Sequence, residues 1–215
     1  MRPITATVGP LAAASANNIA LSQTPGAAGP LTLNGATVVN GIAILDTARR
    51  VLITTADTTH TFTVTGTSPT GTLLTEVVGP ITGSAFTAQD FKTVTSIVIN
   101  GGATAAVTAG TNGIASSPWV RFDEYAAGTA TVATDVTGTV NYTIQQSMDD
   151  PNSPTNPVLP ANMTWLNSLD ATMVGATTAI YSTQYPLVPI FARVLLNSGA
   201  GSVTATFMQT GAAPY

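Results

Sequence analysis

His60-Thr61-Phe62-Thr63-Val64-Thr65 decides the fold. In an extended chain successive side chains point to opposite faces, so His60, Phe62 and Val64 share one face and the three threonines share the other. An apolar face backed by a hydroxyl face is a half-buried strand. The segments on either side follow the same rule. Residues 50–55 (Arg-Val-Leu-Ile-Thr-Thr) read as the preceding strand. A Gly-, Ser- and Pro-rich turn at 66–71 leads into Thr-Leu-Leu-Thr-Glu-Val-Val at 72–78. Residues 91–99 form the longest strand candidate, stopped by Asn100-Gly101-Gly102. β-Branched residues fill these runs, and their stiff Cβ suits a pleated sheet better than a helix.

The second half repeats the style. Residues 136–147 place Val136, Val140, Tyr142 and Ile144 on one face of a continuous strand. The four prolines between Asp149 and Pro160 predict a long irregular loop. Residues 190–196 and 202–208, joined through Asn197-Ser-Gly-Ala-Gly201, read as a terminal hairpin. Helix is confined to two short candidates, 85–90 and 163–173. The expected architecture is all-β: two β-sandwich or jelly-roll-like domains at 26–118 and 119–215, preceded by residues 1–25 as an N-terminal arm or first strand. Pro3 and Pro10 interrupt the apolar content of that opening stretch, which argues against a secretory leader.

Composition narrows the function. Charged residues make up 7% of the 215 residues, whereas an ordinary soluble domain carries about 25%. Threonine, at roughly one residue in five or six, takes their place. A surface of hydroxyls repels neighbouring molecules weakly and suits a chain that sits against other protein. The net charge of −4 and six scattered basic residues oppose nucleic-acid binding. The absence of cysteine excludes disulfides and thiolate metal sites. No apolar run is long enough to form a membrane-spanning helix.

Catalytic patterns are weak. His60 is the only histidine, with Asp57 three residues upstream, but no Gly-x-Ser-x-Gly elbow surrounds a serine. The adjacent acids Asp123-Glu124 and Asp149-Asp150 point to opposite faces if extended, so neither pair converges on a substrate. Asp149-Asp150-Pro151-Asn152 lacks calcium-loop spacing and reads as a turn that caps its own backbone. The glycine-rich turns lack the Gly-Lys-Ser/Thr of a phosphate cradle. No catalytic, cofactor-binding or metal-ligating residue is therefore assigned. Trp119, Phe122 and Tyr125 form an aromatic cluster past the domain boundary; with Trp165 they are the interface candidates.

Two stretches resemble known proteins. Leu21-Ser-Gln-Thr-Pro-Gly26, Leu31-Thr-Leu-Asn-Gly35, Ala48-Arg-Arg-Val-Leu-Ile-Thr-Thr55, Phe62-Thr-Val-Thr-Gly-Thr67 and Ser117-Pro-Trp119 resemble a module of tailed-phage and prophage proteins. Val140-Asn-Tyr-Thr-Ile-Gln145 and the segment from Phe191 to Gln209 resemble small phage structural proteins. The resemblance spans residues 20–210 and implies a virion component made in the host bacterial cytoplasm. It transfers no active site. The expected function is capsid decoration or cementing, as a homo-oligomer, for instance a trimer, on the major capsid protein or other virion proteins. The alternatives are a head–tail junction, collar or fibre-anchoring component, and, from another class, a carbohydrate-binding attachment module.

Overall fold

A computed structural model describes residues 3–122, 129–185 and 188–209. The all-β expectation holds: eighteen strands alternate with loops, and 3-10 turns at Pro160–Asn162 and Ala171–Met173 are the only helical elements among the described residues. Neither expected helix forms over its full length. Residues 85–86 belong to strand Gly83–Phe86, and the 163–173 segment keeps only its last three residues helical. The chain divides into two compact units. One comprises residues up to Leu11 together with those from Ile114 onward; the other is Ala12–Gly113. The expected boundaries at 25 and 118 thus differ from the observed ones. The opening residues supply a strand to the unit that also holds the C-terminal half.

The Ala12–Gly113 unit contains β2 (Ser15–Gln23), β3 (Gly29–Pro30), β4 (Val38–Val39), β5 (Ile42–Thr55), β6 (Phe62–Thr67), β7 (Leu73–Val78), β8 (Gly83–Phe86), β9 (Phe91–Ile99) and most of β10 (Val107–Ser116), while β1 (Ile4–Val8) lies in the other unit. Its central order is β10-β5-β9-β6-β7, with β2 on β10, β3 on β9, and β4 and β8 on β5. Phe62 and Val64 are fully buried on the inner side, as period two requires, and so are Val94, Ile97 and Ile99 of β9, where an irregularity between Val94 and Ser96 interrupts the alternation.

The other unit adds β11 (Val120–Arg121), β12 (Ala130–Thr137), β13 (Val140–Ser147), β14 (Leu166–Asn167), β15 (Val174–Ala176), β16 (Ile180–Tyr185), β17 (Phe191–Gly199) and β18 (Ser202–Gln209). One sheet runs β1-β18-β12-β16; the second is built on β13 and β17, with β11, β14 and β15 at their sides. Val8, Val132, Val203 and Phe207 from the first sheet meet Ile144, Val194 and Leu196 from the second in one core. Tyr142 joins the layers: its buried hydroxyl lies 2.6 Å from Thr134 Oγ1 and donates to the Thr178 carbonyl at 3.0 Å. Burial raises the pKa of this phenol.

Two connections differ from the sequence expectation. Residues 136–147 are not one strand: the chain turns at Gly138, with φ of 78°, and β12 and β13 lie in different sheets. The terminal pair is likewise no hairpin, because β17 pairs with β13 and β18 with β12 and β1. Both connections are arches between layers, and they lie side by side. The Gly201 amide donates to the Thr139 carbonyl at 2.9 Å, and a Cβ on Gly201 would overlap the Thr137 carbonyl. Period-two patterning marks which face is buried but not which strand is the hydrogen-bonded partner, so arch and hairpin look alike in sequence.

Candidate protein-docking face

The outer face of β5, β9, β6 and β7 is an extended surface that could meet another molecule. Its side chains form three rows across the strands. Leu73, Thr67, Thr93 and Ile44 make the first, and Thr75, Thr65 and Ser96 the second. Val77, Thr63, Val98 and Pro30 make the third. Rows in such a sheet stand about 6.6–6.8 Å apart along the strands, and neighbours within a row about 4.8 Å apart. Thr67 and Thr93 hydroxyls bond each other at 2.8 Å, so part of the hydrogen-bonding capacity is satisfied within the face. At the margins Leu73 is 69% exposed, Val77 60% and Ile44 51%.

None of these eleven positions is Asp, Glu, Lys or Arg. The cation beside them, Lys92, points its Nζ back to the Leu45 and Asp46 carbonyls at 2.8 and 3.0 Å. Next to Ile44 opens a cavity of about 430 Å³ that reaches Arg49 and Asp46. Arg49 is buried, bonding the Ala12 carbonyl at 2.9 Å, the Asn112 carbonyl at 2.6 Å and the Asp46 carboxylate at 3.2 Å. Its charge is therefore spent inside the unit. What remains outward is methyl groups, hydroxyls and aliphatic side chains, a surface that carries no ion to desolvate and gains from contact where a partner bonds its hydroxyls.

The sequence-derived interface residues separate. Val120 and Phe122 face the core, where Phe122 meets Phe207 edge-on at 5.6 Å and Tyr185 at 6.4 Å. Trp119 and Arg121 face the other way, as alternation along β11 demands. Trp119 packs on Trp165 at 5.5 Å and on Phe191 at 5.9 Å. Arg193 lies 4.1 Å over the Trp165 ring and donates from Nε and Nη2 to Gln145 Oε1 at 3.0 and 2.9 Å. Trp119 and Trp165 are both half-buried, with indole nitrogens shielded from solvent. The expected cluster of Trp119 with Phe122 is thus split between two faces of the sheet; Tyr125, with Asp123 and Glu124, lies outside the described residues.

Asp57, His60, Asp149 and Asp150 are each engaged by neighbouring groups. Asp57 is fully buried and its carboxylate accepts from the Thr104, Thr59 and His60 amides at 2.9, 2.9 and 3.2 Å. His60 Nδ1 is 2.8 Å from the same carboxylate. These bonds, that from Thr104 first, hold the Asp57 pKa far below the usual carboxylate range. The His60 ring packs over Gly101 so closely that a Cβ there would overlap Nε2. Asp57 is a clip joining two loops. Asp150 accepts from the Asn152 amide at 2.8 Å and meets Arg121 at 3.2 Å, while Asp149 accepts from the Thr164 amide. No group of three or more metal-ligating side chains gathers among the described residues.

The docking face eluded sequence reasoning for a specific reason. The hydroxyl side of β6 was legible, but its alignment with Leu73, Val77 and Ile44 depends on strand order and register. No family model, curated protein or solved structure matches this chain.

Proposed function

We propose that this chain is a non-enzymatic structural protein of a tailed-phage virion, a decoration or cement protein that docks on the major capsid protein through the outer face of β5, β9, β6 and β7. The observation that carries the reading is that face: ten positions on four adjacent strands, with Pro30 of β3 at their margin, and not one ionisable side chain among them. An isolated soluble protein ordinarily populates such a face with charge. Here it offers hydroxyls that can bond a partner's backbone and aliphatics that gain by being covered. The sequence resemblance to phage structural proteins supplies the partner class. Repetition on a shell multiplies a modest single-site affinity.

The test is reconstitution. Particles of the phage that encodes the chain, stripped of it, are incubated with purified protein, and bound copies are counted by gel densitometry. Hundreds per particle support decoration; about six to twelve place the chain at the head–tail junction instead. No binding to particles, together with glycan binding lost in Trp165→Ala, defeats the proposal in favour of carbohydrate attachment.

A further inference from the structure

We propose that the free edge of β7 pairs antiparallel with β7 of a second copy, centred on Thr75, so that two uncharged faces fuse into one continuous sheet. This assignment concerns the edge and does not rest on the virion reading. β7 ends the strand order and, among the described residues, pairs only with β6, through six consecutive register pairs without a bulge. Alternate residues of an antiparallel strand direct their N–H and C=O away from the existing partner, leaving a template for another strand. Proteins usually blunt such an edge with lysine, proline, a bulge or a very short strand. Leu73–Val78 has none of these.

Its one charge, Glu76, is already engaged. The carboxylate accepts from the Ala88 and Gln89 amides at 2.6 and 2.9 Å. Alternation with buried Leu74 and Val78 places Glu76 on the inner side of the strand. The outer side shows Leu73, Thr75 and Val77, and Leu73 and Val77 are the two most exposed large aliphatic side chains on any described strand.

These residues select both the occupant and the register. A two-fold axis at Thr75 sets Leu73 opposite the second copy's Val77 twice, with threonine hydroxyls meeting at the axis. Aliphatic pairs and paired threonines are the favourable cross-strand combinations. Centring on Glu76 would set two carboxylates opposite each other. A shift of one residue would put inner against outer side chains. The edge is thus self-complementary in one register, as an isologous contact requires. It yields a two-fold dimer as the homo-oligomer that the sequence reading expects.

Sedimentation velocity of the full chain over a concentration series tests the pairing. The wild type is expected to move reversibly to twice its 21.7 kDa mass. Leu73→Lys/Val77→Lys sets like charges opposite and is expected to weaken dimerisation at least about tenfold. Leu73→Lys/Val77→Glu sets opposite charges across the axis and is expected to restore it. Both positions are exposed, so circular dichroism and melting temperature should match the wild type in each variant. Thr75→Cys, in a chain without cysteine, should oxidise to a covalent dimer, because opposed residues lie within disulfide reach. Thr63→Cys, one strand further in, should not. A wild type that stays monomeric at every concentration overturns the pairing, as does a mixed-charge variant no better than the double-lysine one. Equal cross-linking from position 63 overturns the register.

Discussion

Replacing Thr65 with lysine is the sharpest perturbation of the docking face. Thr65 stands mid-face, between Thr75 on β7 and Ser96 on β9, with a half-buried side chain directed outward. In the free protein lysine extends into water, and a surface substitution of this kind changes stability by no more than about 0.5 kcal/mol. In a complex that covers the face, the ammonium must shed water against hydroxyls and methyls. Removing an ion from water without a partner costs several kcal/mol, and bending toward the rim recovers part of it. A net loss of about 3 kcal/mol corresponds to roughly a hundredfold weaker binding.

Full burial of a Leu, Ile or Val contributes about 1.5–3 kcal/mol, so covering the still exposed parts of Leu73, Val77 and Ile44 supplies about 3–5 kcal/mol in all. Association itself costs at least about 4 kcal/mol, so these side chains do little more than offset it, and binding that also depends on the hydroxyl contacts and on repetition has no margin to absorb a buried charge. The assay is co-sedimentation with stripped particles at constant salt, comparing wild type, Thr65→Lys and Thr65→Val. The valine variant should bind within about threefold of wild type, less than 1 kcal/mol. A lysine variant that binds equally well would show that this face stays open to solvent, and the functional reading would fall.

Tyr142→Phe removes the hydroxyl that links β12 and β13 and should lower unfolding free energy by about 1–2 kcal/mol in urea titrations; a change under about 0.5 kcal/mol would refute the link. Gly201→Ala should destabilise by about 1–3 kcal/mol because its Cβ meets the backbone of the neighbouring arch, whereas Gly113→Ala, facing open space, should be nearly neutral. Asp57 has a lowered pKa, so its contribution is present at neutral pH and disappears as pH falls below its unfolded value near about 3.9. Asp57→Asn should flatten the acid limb of stability against pH; an unchanged limb would contradict the assignment. Burial raises Tyr185 to about 12, so its contribution is complete below about pH 10 and lost as the pH climbs towards the raised value. Tyr185→Phe should therefore make the alkaline limb shallower.

What could be read from the sequence divides along a physical line. Facing is a local property: Phe62 and Val64 inside with Thr63 and Thr65 outside follow from one dihedral region and a period of two. Strand β9 ran from Phe91 to Ile99 as expected, because Asn100-Gly101-Gly102 stops it chemically. Pairing is non-local. Nothing within residues 190–208 distinguishes a strand that returns beside its predecessor from one that crosses to the other layer. The difference lies in Gly138 and Gly201 packing against each other across some sixty residues of chain. The same limit explains β1, which joins β18 from the far end of the sequence and takes the opening residues out of the unit that follows them.

The candidate site obeys that division too. Aromatic side chains are scarce and large, yet alternation sends Trp119 and Phe122 to opposite faces, and each is occupied by neighbours in its own unit. The face proposed for a partner draws five of its eleven positions from the commonest residue, threonine, and becomes visible only once the strands stack them into rows. Scarcity of charge, visible from composition, becomes a binding property when register gathers uncharged positions on one face. Arg49, Lys92 and Glu76 sharpen the effect, since each turns its charge to groups within the unit. A chain with six basic and ten acidic residues that spends three of them this way keeps its sheet face neutral, and neutrality there favours contact over solitude.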